Sequence, residues 1–183
     1  VTGVQTCALP IFNADGTLDT AYDPNCNGRI NSAVLQSDSK LLIGGAFTTF
    51  TPNGTTTTVT RNYLARVNTD GTIDDYNPAP NLTVSSLTLQ GDGKAIAGGL
   101  FSTVQPNGAA TGTTRNYIAR FNTDGSLDQN FDPNANAPVL AVVAQPNGQI
   151  LVGGQFTQLQ PGQTGTSITR NNLARVNSDG AVD

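Results

Sequence analysis

The strongest constraint on this chain is that it repeats. Aligned on its Asp-Gly dipeptides, at Asp15, Asp70, Asp124 and Asp179, the sequence falls into units 54 or 55 residues long. Two further landmarks keep the same order. Gly44-Gly45-Ala46-Phe47 returns as Gly98-Gly99-Leu100-Phe101 and as Gly153-Gly154-Gln155-Phe156. Arg61-Asn62-Tyr63-Leu64-Ala65-Arg66 returns as Arg115-Asn116-Tyr117-Ile118-Ala119-Arg120 and as Arg170-Asn171-Asn172-Leu173-Ala174-Arg175. A fixed period of this length marks an array of like structural units.

Each unit carries four short β-type segments. In the second unit they are Val84–Leu89, Lys94–Phe101, Tyr117–Asn122 and Ser126–Phe131. The tight-turn sequence Gln90-Gly91-Asp92-Gly93 separates the first two. Composition agrees with strands. Glutamate and methionine are absent and only Lys40 and Lys94 represent lysine, so strong helix formers are scarce. No helical pattern of roughly 10–15 residues separates the strands, which excludes leucine-rich, ankyrin and α/β arrays. Four strands per unit is the size of a propeller blade. The expected fold is all-β: a β-propeller fragment of about three four-stranded antiparallel blades. The blades span residues 30–76, 82–131 and 137–183, after an outer strand at 12–22. Propellers hold about four to eight blades, so further blades are expected.

The hairpin between third and fourth segments has a definite register. Asn68-Thr69-Asp70-Gly71 suits a type I turn followed by a left-handed glycine. That loop pairs Val67 with Ile73 and Arg66 with Asp74, apolar against apolar and cation against anion. The same register pairs Arg120 with Asp128 and Arg175 with Asp183. These charges are therefore read as structural cross-strand pairs, contributing about 0–1 kcal/mol each if exposed. Phe47, Phe101 and Phe156, each after a glycine pair, are expected to fill the space between blades. The glycine pairs end apolar runs and open no helix, so close packing or a bulge explains them better than phosphate binding.

The pattern R-N-x-L-A-R-x-N-x-D-G-x-x-D, then a Phe and a Pro, then K-x-x-x-G-G-x-F, resembles the delta-60 repeat, a bacterial, kelch-like propeller repeat. The resemblance runs from Phe12 to Asp183. It implies a blade array in a secreted or cell-surface protein and implies no catalytic residues. One departure stands out: the segments Thr51–Thr60, Gln105–Thr114 and Gln160–Thr169 are longer than such repeats carry.

Val1–Ile11 reads VTGVQTCALPI, the translation of a common DNA-sequencing adapter, with no methionine before it. It is set apart from the fold as a non-native segment. Cys7 goes with it, so Cys26 is the single native cysteine and no intramolecular disulfide is expected. The native start is expected upstream, and the chain is expected to continue past Asp183, which falls inside a motif.

Several chemistries find no residues. Without histidine, nucleophilic triads and zinc sites lack their usual members. A net charge of −4 and no basic run argue against nucleic acid. No apolar stretch approaches the roughly 20 residues of a membrane span. Cofactors are expected to be none, with calcium as the sharpest alternative. Asn13/Asp15/Asp19, Asn68/Asp70/Asp74 and Asn122/Asp124/Asp128 resemble oxygen-rich loops but lack a bidentate glutamate. A glycosidase pair would come from Asp23, Asp38, Asp75, Asp92 or Asp132. Catalytic acids need unlike environments and so should break the repeat. Asp75 lacks an acidic counterpart in the second unit, where Gln129 stands. Asn53-Gly54-Thr55 and Asn81-Leu82-Thr83 match a glycosylation pattern. The expected function is a non-catalytic scaffold or binding module. Its partner is a protein or glycan held by the long Thr/Gly/Pro loops; a carbohydrate-active hydrolase and a calcium-dependent adhesion module are the alternatives.

Overall fold

The computed structural model describes residues 12–52 and 54–183. Val1–Ile11, with the adapter reading and Cys7, and Asn53, with the first glycosylation pattern, lie outside the described residues. The chain is all-β, as its repeat requires. Each unit forms a three-stranded antiparallel sheet in sequence order. The inner strands are Ile30–Leu35, Val84–Leu89 and Val139–Ala144. The second strands are Leu41–Gly45, Ala95–Gly99 and Ile150–Gly154. The third strands are Leu64–Val67, Ile118–Phe121 and Leu173–Val176.

The fourth strand expected in each blade is reduced to one bridge: Val67 to Ile73, Phe121 to Leu127, and Val176 to Val182. The chain turns away at once. Asp74 and Asp128 accept the backbone amides of Tyr76 at 2.9 Å and Asn130 at 3.0 Å, which bends the segment inward. Phe12 bridges Leu18 in the same manner. The segment 12–22 therefore holds a strand end, a hairpin and a fourth segment, and is not one outer strand.

The long connections contain structure that alternation did not reveal. Thr49–Phe50 pairs with Val59–Thr60, Thr103–Val104 with Thr113–Thr114, and Gln158–Leu159 with Ile168–Thr169. The connector before each blade adds one bridge to each ribbon: Cys26 to Phe50, Pro80 to Val104, Ala135 to Leu159. Asn27, Asn81 and Asn136 clamp these bridges. Each side-chain oxygen accepts two successive ribbon amides, as Asn27 does from Thr48 at 2.8 Å and Thr49 at 3.0 Å.

Blades stack through their flat faces. Leu42 and Leu64 of the first blade are fully buried with Val84, Leu87 and Phe101 of the second. Ile96 and Ile118 of the second repeat this against Val139, Val142 and Phe156 of the third. Burying each such side chain contributes about 1.5–3 kcal/mol. Phe101 and Phe156 thus lie in clusters that span blade junctions. Phe47 lies on the other face of the first blade, 5.0 Å edge-to-face from Phe50. The third blade presents the same outward face with nothing over it: Leu173 is 64% exposed and Val143 55%.

The glycine pairs divide their work. A Cβ on Gly98 would sit 2.6 Å from Val139 Cγ1, and one on Gly44 would sit 2.5 Å from Val84 Cγ1. Absence of a side chain there lets the next inner strand settle on bare backbone. The second glycines, Gly45, Gly99 and Gly154, face bulges at Ile30/Ser32, Val84/Ser86 and Val139/Ala141. Hydroxyls stitch the inner strands together. Leu87 donates its amide to Ser32 Oγ at 3.0 Å, and Val142 donates to Ser86 Oγ at 3.2 Å.

This geometry separates two glycines that look identical in sequence. A Cβ on Gly153 would meet nothing closer than 3.7 Å. Gly98→Ala should destabilise by about 1–3 kcal/mol through overpacking, while Gly153→Ala should change stability by less than about 0.5 kcal/mol. Urea unfolding of both variants checks this; equal losses would contradict the packing described.

Candidate functional site

Each blade ends in a polar knot built on the third strand. Arg66 Nη2 lies 2.7 Å from Asp74 Oδ1, and Lys40 Nζ lies 2.6 Å from Asp74 Oδ2. In the second blade Arg120 Nε meets Asp128 Oδ2 at 3.0 Å and Lys94 Nζ meets it at 2.8 Å. Arg175 bonds Asp183 in the third. The first two knots are not exposed pairs: Arg120 and Asp128 are each only 6% exposed. The sequence expectation for an exposed pair therefore does not apply to them. The lysines were missed, although each stands 34 residues before its aspartate. Gln149 holds that place in the third blade.

Other groups lock the knot. Arg66 stacks 4.8 Å over the Tyr76 ring, and Arg120 4.5 Å over Phe131. Arg61 donates Nε and Nη2 to the Asp74 carbonyl at 3.2 and 2.8 Å, a role the sequence motif did not disclose. Burial pushes the Asp74 carboxyl up. Hydrogen bonds from Lys40, Arg66 and the Tyr76 amide, with the Arg66 charge, outweigh that and bring it to about 2. Asp128 is lowered in the same way: burial opposes, and Lys94, the Asn130 amide and Arg120 prevail.

Two clefts open on either side of Arg66, at the junction of the first and second blades. One, of about 700 Å³, runs between the turns at Gln36–Asp38 and Gln90–Gly93. The other, of about 610 Å³, is bounded by Arg61, Asp75, Asn77, Asn107, Gly108 and Asp124. Asp75 is fully exposed there, with Oδ1 3.6 Å from Arg61 Nη2.

The aspartates of the hairpins face their own turns. Asp70 Oδ1 accepts from the Thr72 amide at 3.0 Å and the Thr72 hydroxyl at 2.6 Å, and that hydroxyl holds its carboxyl below the ordinary range. Asp15 and Asp124 do the same with Thr17 and Ser126. Among the described residues no group of three or more His, Cys, Asp or Glu is placed to hold a metal ion. Asp23, Asp38 and Asp92 each accept an amide two residues on. Asp132 accepts from the Gln163 side chain. Cys26 is 5% exposed and its thiol donates to the Gly28 carbonyl at 3.1 Å.

With this geometry in place, comparison with known proteins gives one family. A β-propeller domain of unknown function, DUF5122, matches residues 36–75, 90–131 and 145–183, more than half of the chain and one segment per blade. The chain belongs to the DUF5122 β-propeller family. No curated protein matches it. A protein of unknown function from Bacteroides caccae is similar at 10% identity and a TM-score of 0.33, over 94% of this chain and 72% of that one. The WD40 β-propeller domain of Doa1 is similar at 14% identity and a TM-score of 0.31, over 85% of this chain and 75% of that one. Neither likeness bears on function.

Each DUF5122 match ends on the knot aspartate or within three residues after it, so each matched segment contains one knot. Its stability has a definite acid dependence. Because the Asp74 carboxyl is depressed, its contribution is complete above pH about 4 and is lost as pH falls toward about 2. After discounting for solvent screening, the loss should be on the order of 1–2 kcal/mol. Unfolding free energies measured from pH 5 to 2 should fall more steeply for the wild type than for Asp74→Asn. Parallel pH profiles would show that the Asp74 carboxylate is not held in this pair.

Proposed function

We propose that this chain is a non-catalytic repeat scaffold whose long loops form a contact surface in a secreted or surface bacterial protein. One observation carries the reading. The ribbon tips, residues 54–58, 107–112 and 162–167, leave the same point of each blade and are exposed throughout. Three copies of one polar tip, rich in Thr and Gly, make a repeated surface suited to an extended partner. The hairpin aspartates are engaged in holding turns and knots, which favours a binding role over acid–base chemistry. The likeness of the motif to the delta-60 repeat supports a secreted or surface setting. The partner is a glycan or a protein.

Retention and turnover can be read from the same samples. The chain should be retained on some member of an array of immobilised polysaccharides and matrix proteins, and should release no reducing ends from the polysaccharides. Same-length Ser-Gly replacements at residues 54–57, 109–112 and 164–167 should abolish retention and leave the Tm within about 2 °C. A calcium chelator should change neither. Release of reducing ends would favour the hydrolase, and a chelator-induced fall in Tm would favour calcium-dependent adhesion. Full retention by the loop variant would overturn the proposal.

A further inference from the structure

Asn27-Gly28, Asn107-Gly108 and Asn147-Gly148 are Asn-Gly pairs that lie wholly among the described residues. Glycine after asparagine leaves the backbone nitrogen that can attack the asparagine side chain without a neighbouring Cβ to shield it. All three asparagines are exposed, so what separates them is what holds each side chain. Asn27 is clamped. Its Oδ1 accepts the Thr48 and Thr49 amides at 2.8 and 3.0 Å, and its Nδ2 donates to Thr48 Oγ1 at 2.9 Å. Gly28 is wedged as well, since a Cβ there would lie 2.5 Å from the Ala46 carbonyl oxygen. Asn147 is held inside its own turn. Its Oδ1 accepts the Gln149 amide at 3.1 Å, and its Nδ2 donates to Gln149 Oε1 at 2.9 Å. The Gly148 amide donates to the Gln145 carbonyl at 3.0 Å.

Asn107 differs from both. Among the described residues its side chain has no hydrogen-bond partner. Its backbone amide donates to the Asn77 carbonyl at 2.7 Å, which seats the loop on the connector. Gly108 is exposed, and a Cβ there would meet nothing within 4 Å, so the next peptide has room to turn toward the side chain. The third loop carries Gly162-Gln163 at this place and has no asparagine to react. We propose that Asn107-Gly108 is a site of spontaneous deamidation in the folded protein, with water as the reactant. The Gly108 nitrogen, deprotonated by hydroxide, attacks Asn107 Cγ. A bond from that nitrogen to Cγ forms, the Cγ–Nδ2 bond breaks, and Nδ2 departs as ammonia. Water then opens the succinimide ring at one of its carbonyls. Opening at Cγ leaves aspartate; opening at the main-chain carbonyl carbon leaves isoaspartate, with the chain routed through Cβ. Overall an amide and water become a carboxylate and ammonium. Either product adds a negative charge to the rim of a cleft already lined by Asp74, Asp75 and Asp124 against Arg61 and Arg66. The isoaspartyl form also lengthens the backbone of the second loop tip. The proposal stands apart from what the loops bind.

The test follows the three asparagines in one sample. The full chain is held at mildly alkaline pH, digested at intervals and read by mass spectrometry, with aspartyl and isoaspartyl peptides separated. In the folded chain Asn107 should convert at least about tenfold faster than Asn27 and Asn147. In urea, where the clamp and the turn are gone, the three rates should converge. Gly108→Ala should slow conversion at Asn107 by about tenfold and leave the other two unchanged. Raising the pH should speed conversion at Asn107, as attack by a deprotonated nitrogen requires. Equal rates at the three sites in the folded chain would overturn the proposal. So would an Asn107 that stays intact in the folded chain while the urea-unfolded chain converts, or a rate at Asn107 indifferent to pH. A rate order that persists unchanged in urea would overturn it too, since local sequence and not the fold would then select the site.

Discussion

Where Gly44 and Gly98 leave the second strand without a Cβ, Val84 and Val139 of the following blades rest on bare backbone. The rest of the molecule depends on that approach. It brings Leu42 and Leu64, then Ile96 and Ile118, into full burial against the next sheet. It also brings the inner strands near enough for Ser32 and Ser86 to take up amides that the sheets leave unpaired. An isolated three-stranded sheet has one apolar face too many. Stacking removes the excess at each internal junction and moves it to the ends of the array. Leu173 and Val143 are exposed at one end, and Tyr22, Ile30 and Leu41 line a groove at the other.

Polar groups then fix what the apolar faces leave free. A flat sheet could slide on its neighbour, but the knots do not allow it. Arg66 bonds Asp74 in its own blade and donates to the Thr123 carbonyl in the next blade's hairpin. Arg120 bonds Asp128 and donates to the Ser178 carbonyl one blade later. Each arginine thus ties the edge of one blade to the turn of its neighbour. The hairpin glycine has a second task there. Gly125 adopts a φ of 87°, and its bare α-carbon also makes room for Tyr76 of the preceding blade. A turn motif that looks local is therefore part of the junction. Removing one partner from so buried a pair costs about 3–5 kcal/mol, far more than an exposed pair would.

Much of this was legible in the sequence because the repeat triples every signal. The period, the all-β class and the three-residue hairpin register follow from spacing and from apolar-against-apolar pairing. Three features were not legible, for physical reasons. The fourth strand shortens to a bridge because Asp74 and Asp128 cap the following turn, and an aspartate's side-chain bond leaves no periodic trace. The two-residue ribbons in the long loops are too short for alternation to register, and Asn27, Asn81 and Asn136 look like ordinary loop residues. Burial of the charge pairs depends on the next blade, so the hairpin alone suggests exposed ions. The cleft bounded by Arg61, Asn107 and Gly108 lies where the repeat departs from itself, Gly108 standing where the third unit has Gln163. Asp75, singled out in the sequence as a departure, does stand at its rim.

The central claim is that stability resides in blade-on-blade faces and not in single sheets. Hydrogen exchange across the third strands tests it most directly, because the three strands have near-identical sequences and differ in what covers them. Amides of Leu64–Val67 and Ile118–Phe121, roofed by a following blade, should exchange only through global unfolding. Amides of Leu173–Val176, whose outward face is bare, should exchange faster by at least tenfold. Equal protection of all three strands would contradict the account, since it would place stability within each sheet and leave the junctions as mere contacts.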